Sequence, residues 1–134
     1  RHRTVGGLAP LVIPGLPVVS EVVKAAQGNS FRLGEISPVP SYDLGAEDFE
    51  PARYWRGPAW FNTGWLVWHG LRTHGRDHLA GRLRDGMVNA IRHAGFREYI
   101  DPVTGAGHGA DDFSWTAAVA IDLLDSAKTA GRAA

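Results

Sequence analysis

Only a residue or two separate the second and third of four helical stretches in this chain, while the connections on either side are long. Those unequal lengths constrain how the chain can pack. Val18 to Gln27 places Val18, Val19, Val22, Val23 and Ala26 on one face, between Pro17 and Gly28. Pro58 to about Thr73 carries Phe61, Trp65, Trp68 and Leu71, with proline in the first turn and Gly75 at the C′ position. Arg76 to Ala94 carries Leu79, Leu83, Met87 and Ile91, and Gly95 stops it. Ser114 to about Ala130 carries Ala118, Ile121 and Leu124 or Leu123, with Asp112 or Ser114 as N-cap. Leu11-Val12-Ile13 lies between Pro10 and Pro14 and reads as an extended entry segment, not a strand. The spacing predicts an all-α chain of four helices.

The long connections run from about Gly28 to Gly57 and from about Gly95 to Phe113. Loops longer than about 12–15 residues in a compact domain are usually functional or disordered, and the aromatic content of both argues against disorder. Helices joined by short connections pack antiparallel. If the first helix runs up, the second runs down, the third up and the fourth down. Both long loops then join an up helix to a down helix, and both lie at one end. Tyr54, Trp55, Arg56 and Glu98 should share one rim.

The run from Glu50 to Trp65 clusters Trp55, Trp60 and Trp65 with Tyr54, Arg53, Arg56 and Asn62 around Gly57-Pro58. A Gly-Pro break is foreign to a helix core. Aromatic faces beside planar polar groups suit sugars, whose C–H faces stack on indole while hydroxyls need forked donors and amides. Simple core packing of the indoles is the other reading, since Trp is highly buried on average. The second informative run, Gly95 to Ala118, sets Glu98 among aromatics, then a glycine-rich loop, then a helix start.

Composition excludes several classes. Fourteen Lys and Arg balance fourteen Asp and Glu, so nothing steers the chain toward nucleic acid or an anionic membrane. No apolar run is long enough to span a bilayer, and no secretory leader pattern opens the sequence. The first residue is Arg1, not Met, which suggests that the chain begins inside a longer one. The absence of cysteine rules out a disulfide framework and a thiolate metal site, and fits the cytoplasm. One domain with a real core is within reach of 134 residues.

Together YWRGPAW (54–60), WHGLRTHG (68–75) and GFREYIDPVTGAGHGADDFSWTAA (95–118) resemble glycoside hydrolase family 63, which includes processing α-glucosidase I and the bacterial mannosylglycerate and glucosylglycerate hydrolases. The similarity runs from about Gly6 to about Leu124. It implies the C-terminal segment of a single (α/α)6 toroid catalytic domain, with the active site at one mouth and no cofactor. Four helices are about a third of twelve, so the toroid is expected to be incomplete. Its open apolar flanks would need the missing N-terminal part, or self-association, to cover them.

The resemblance makes Glu98, in the family's E-Y-x-[DN]-P motif, the general base of an inverting hydrolysis of a small α-glucoside or α-mannoside, with glycerate as one candidate partner group. Inversion needs two carboxyl groups about 6.5–9.5 Å apart. The family's general acid is an aspartate well upstream of the YWRGP motif, and nothing here matches its motif. Asp101 reads as a turn residue before Pro102, Asp112 as a helix cap, and Asp111 as charge near a helix start. Asp43 and Asp48 precede Tyr54 without any mark of an acid. The isolated chain is therefore expected to be inactive.

Tyr54, Trp55, Arg56 and Trp60 match the family's sugar-binding segment, and Tyr99 follows Glu98 in its motif. Arg56 would hydrogen-bond hydroxyls or grip a carboxylate, or else pair with a loop acid. Asn62 reaches toward the mouth or serves as a helix-start amide. Trp115 contacts sugar or packs beneath the site, while Trp65 and Trp68 read as core. His74 and His78 have i, i+4 spacing, but Gly75 breaks the helix between them, so no metal is expected. Gly105, Gly107 and Gly109 have neither a preceding strand nor a following lysine, and read as a sharp turn under a ligand. Ser114 lacks nucleophile-elbow glycines. Ala106 is apolar where relatives are often polar, which bears on specificity. Two rivals stay open: a non-catalytic sugar-binding remnant, and a helical interaction fragment whose indoles are all core.

Overall fold

A computed structural model describes residues 2–132, with side chains described through residue 126. Four α-helices carry the fold: α1 Val19–Gln27, α2 Phe61–Thr73, α3 Asp77–Ala94 and α4 Ser114–Arg132. A 3-10 helix at Val5–Val12 precedes them, and two short strands, β1 Tyr99–Ile100 and β2 Gly107–His108, lie between α3 and α4.

Helix α2 is the central post. It packs against the 3-10 helix, α3 and α4, while α1 leans on the 3-10 helix. Phe61, Val67, Trp68 and Leu71 of α2 join Leu83, Met87 and Ile91 of α3 in one core, with Val119 and Leu123 of α4 and Leu8 and Leu11 of the 3-10 helix. Helix α2 ends on Gly75 at φ +64°, with the Arg76 N–H donating to the Leu71 carbonyl and the Gly75 N–H to the Arg72 carbonyl. That pair of bonds satisfies carbonyls which the helix itself leaves open.

The structure revises four local expectations. Leu11 and Val12 are not extended: they end the 3-10 helix, whose i→i+3 bonding accommodates Pro10 at its interior. Helix α2 begins at Phe61, not Pro58, because Ala59 is bridged to both Pro40 and Ile100 and must stay extended. Ser114 is the first helical residue of α4 and not its cap. Asp112 has φ +49°, and the Ala117 N–H donates to the Phe113 carbonyl, so Phe113 caps the helix. The buried face of α4 is Thr116, Val119, Ala120 and Leu123, whereas Ile121 is 71% exposed and Leu124 47%. Helix α4 thus has a second apolar side, formed by Ile121 and Leu124, open to solvent.

Two backbone hydrogen bonds join the long loops. The Ala59 N–H donates to the Ile100 carbonyl at 2.8 Å, and the Ile100 N–H donates back at 3.0 Å. The Ser41 N–H donates to the Pro58 carbonyl at 2.9 Å beside them. Both long loops therefore lie at one end, as the alternation of helix directions predicts. No helix among the described residues is long and apolar enough to cross a membrane.

The contact between α2 and the 3-10 helix depends on Gly70. A Cβ there would sit 2.5 Å from Leu11 Cβ and 2.9 Å from the Leu11 carbonyl oxygen. Gly70→Ala should destabilise the fold by about 1–3 kcal/mol through overpacking, read as a lower urea midpoint at unchanged m-value. Gly81→Ala, where a Cβ meets nothing within 4 Å in the middle of α3, should instead stabilise.

Candidate functional site

The loop between α3 and α4 folds back on itself as a narrow ribbon. Tyr99 pairs with His108 and Ile100 with Gly107. The Glu98 N–H donates to the Ala110 carbonyl, and the Phe113 N–H to the Phe96 carbonyl. Asp101 closes the turn: its carboxylate accepts the Val103 N–H at 2.7 Å, the Thr104 N–H at 3.2 Å and the Thr104 hydroxyl at 2.7 Å. Burial alone would raise the Asp101 pKa. The Thr104 and Val103 donors, with His108 nearby, outweigh it and leave the pKa lowered. Asp101 is a turn residue, as its sequence context predicts.

Glu98 lies half-buried on this ribbon. Its Oε2 accepts the Ala110 N–H at 3.0 Å. Gly109, at φ +70°, makes room for it: a Cβ there would meet Glu98 Oε2 at 2.5 Å and Tyr99 Cε1 at 2.8 Å. The Glu98 carboxylate and the Tyr99 ring thus share one small space over a glycine whose replacement would displace them both.

Tyr99 continues into a column of rings. Trp60 lies 4.9 Å from Tyr99, and Trp55 stacks on Trp60 at 4.4 Å and 6°. Tyr54 sets its edge against Trp60 at 4.9 Å. Trp60 is buried, and its indole N–H donates to the Tyr54 carbonyl at 2.9 Å. Trp60 is the inner support on which Trp55 and Tyr54 rest, and those two remain about half exposed. Tyr54 holds φ +35°, an unusual conformation for a bulky residue. Its carbonyl bond to Trp60 secures that conformation.

Other loop carboxylates have structural uses. Asp48 lies 3.6 Å from Arg56 Nη1 and accepts the Tyr42 hydroxyl at 3.2 Å, so Arg56 is at the rim with a loop acid beside it. Asp111 pairs with Arg97 at 2.8 Å. Asp43 accepts the Gly45 N–H; burial would raise its pKa, but that bond and its neighbours leave it lowered.

Asn62 and Trp115 line a groove of about 380 Å³ between α2 and α4, with Trp65, Ala118, Val119 and Asp122. Nothing in the sequence pattern singles out Asp122, and helical spacing assigns Trp65 to the core. Trp65 is only partly buried, and its indole N–H donates to Asp122 Oδ2 at 2.7 Å. The two residues are far apart in sequence, and no local pattern marks the pair. Trp68 is buried, as its spacing predicts.

Residues 1–116 match the family described as mannosylglycerate hydrolase MGH1-like glycoside hydrolase domain. A mannosylglycerate hydrolase of Rubrobacter radiotolerans is 52% identical over 97 residues, covering 71% of this chain and 22% of that protein. Two crystal structures of a GH63 mannosylglycerate hydrolase from Thermus thermophilus superpose with TM-scores of 0.78. One, in complex with glucose, is 37% identical over 93% of this chain and 30% of that one. The other, in complex with Tris and D-glycerate, is 40% identical over 89% and 29%. The chain spans less than a third of the length of each. Its all-α fold matches part of an (α/α) toroid.

The lowered pKa of Asp101 fixes a sign. Its contribution to stability is fully present above the unfolded value of about 3.9 and is lost as pH falls through the folded value. The stability gap between the unaltered chain and Asp101→Asn should be full at pH 7 and shrink steadily below about pH 4. Urea midpoints at several pH values measure it, and a gap that does not vary with pH would contradict the assignment.

Proposed function

The chain belongs to the mannosylglycerate hydrolase MGH1-like glycoside hydrolase family, and from that premise we propose that it is the C-terminal part of an (α/α)6 catalytic domain that hydrolyses a small α-mannoside or α-glucoside of glycerate with inversion. Glu98 is the general base. The observation that carries this reading is the Glu98 carboxylate held at one oxygen by the Ala110 N–H, over Gly109 and beside the Tyr99–Trp60–Trp55 column.

With Oε2 held, Oε1 has no partner among the described residues and is the oxygen that takes a proton from water. The water oxygen bonds to the anomeric carbon while the glycosidic C–O bond breaks. The leaving oxygen takes its proton from a second carboxyl group about 6.5–9.5 Å from Glu98. No carboxylate of this chain is assigned that role. Trp55 and Tyr54 offer ring faces to the sugar, and Trp60 and Tyr99 keep them in place. Arg56 is the cation at this rim suited to the glycerate carboxylate, with Asp48 steering its guanidinium. The open side of α4 supports the same reading, since a helix apolar on both sides is one that other helices cover.

In the polypeptide that carries this chain, Glu98→Gln keeps the shape and an oxygen for the Ala110 N–H but removes the base. Turnover of α-mannosylglycerate and α-glucosylglycerate should fall by about 10²–10⁴-fold, with the circular dichroism spectrum unchanged. A folded variant with near-parental turnover would remove Glu98 from the mechanism. The 134-residue chain alone should show no turnover.

A further inference from the structure

The peptide unit that joins Arg97 to Glu98 is held at both of its polar ends. Its carbonyl accepts the Thr116 hydroxyl at 2.7 Å, and its N–H donates to the Ala110 carbonyl at 3.0 Å. A peptide unit turns as one plane. Fixing both ends therefore fixes the direction in which the Glu98 side chain leaves the backbone. From there Glu98 Oε2 accepts the Ala110 N–H at 3.0 Å. Both bonds with Ala110 come from the loop itself, whereas the Thr116 hydroxyl comes from α4.

Thr116 differs from other hydroxyls of the helices. Thr63, Thr73 and Ser126 donate to carbonyls three or four residues back, the local bond that Ser and Thr ordinarily make there. Thr116, in the first turn of α4, reaches instead to a carbonyl nineteen residues away. It is 1% exposed, on the buried face that also carries Val119, Ala120 and Leu123. Valine would fill that space equally well, so packing does not call for the hydroxyl, and a buried hydroxyl is costly unless it is bonded. The Arg97 side chain offers a second hold. It lies over Gly107, where a Cβ would overlap its Cγ, and ends on Asp111 at 2.8 Å. Asp111 is largely exposed, so water screens that pair, and the buried hydroxyl is the firmer of the two.

Resting on the reading of Glu98 as general base, we infer that Thr116 is a positioning residue of the reaction: through the Arg97 carbonyl it carries the rigidity of α4 into the loop and sets where the Glu98 carboxylate stands. Groups fixed to helices are held more closely than groups on loops. A misplacement of about 1 Å can cost about 10²-fold in rate. Thr116, being buried, meets no substrate itself.

Kinetics on the polypeptide that carries this chain test the role, with α-mannosylglycerate and α-glucosylglycerate as substrates and circular dichroism as the folding control. Thr116→Val keeps the shape and removes the donor. It should lower kcat about 10–10²-fold and leave KM within about twofold, because sugar binding belongs to other residues. Thr116→Ser, which keeps the hydroxyl, should restore most of the rate. If the valine variant does not fold, Thr116→Ala and Thr116→Ser differ in the hydroxyl alone and carry the same comparison. In a Glu98→Gln background Thr116→Val should cost little further, since a hydroxyl that acts through Glu98 has no base left to position. Parental kcat in a folded Thr116→Val variant, or an equal loss in the Glu98→Gln background, would overturn the positioning role and leave Glu98 as the base. A serine variant no faster than the alanine one would do the same. Near-parental turnover of folded Glu98→Gln alone would overturn both readings.

Discussion

The two hydrogen bonds exchanged by Ala59 and Ile100 are the constraint on which the rest of the mouth depends. They connect a loop that precedes α2 to a loop that precedes α4, and each loop alone is too long to hold its shape by local bonding. Once they are made, Ala59 is extended, so Trp60 becomes the residue before α2 and its ring turns inward. On the other strand Ile100 is buried, so the alternation of strand faces sets where Tyr99 and Glu98 must go. Tyr99 meets Trp60, and Glu98 lies over Gly109. Backbone pairing at one point thus places the aromatic column and the carboxylate relative to each other.

The helices were legible because their signals are local. Apolar residues at helical spacing with a glycine stop locate α1, α2 and α3 to within a few residues, and Gly28, Gly75 and Gly95 end them where the sequence says they should. The relative directions of the helices followed from connection lengths alone, and with them the shared end of both loops. Asp101 was legible for the same reason, since its Asx-type turn is closed by residues two and three positions on.

What was not legible depends on contacts between distant segments or on competing patterns. Helix α4 carries apolar residues on both sides, so periodicity could not say which side meets α2 and α3; it offered Ala118 and Ile121 with Leu124 or Leu123, and the core took Leu123 with Val119 and Ala120. The start of α2 was misplaced because the strand pairing of Ala59 overrides the preference of Pro58 for a first helical turn. The 3-10 helix was hidden by Pro10, which signals extended chain but tolerates i→i+3 bonding at a position whose N–H is not needed. Asp122 stayed hidden because its partner, Trp65, lies on another helix.

Charge divides the end of the molecule into two chemical halves. On the loop side, Asp48, Asp101 and Asp111 are each occupied, by Arg56, by the turn around Thr104, and by Arg97. Glu98 differs in what holds it: no Arg or Lys pairs with it among the described residues, and its Oε2 accepts a backbone N–H, that of Ala110. Between α2 and α4 the balance differs. Asp122 is unopposed by Lys or Arg among the residues lining the groove, and the donors nearest to it there are the Trp65 indole and His69. The Asp122 side chain is half exposed, so water shares its carboxylate with the indole N–H and screens its charge. The Thr116 hydroxyl, donating at 2.7 Å to the Arg97 carbonyl, ties the start of α4 to the Glu98 ribbon and couples the groove to the loop side.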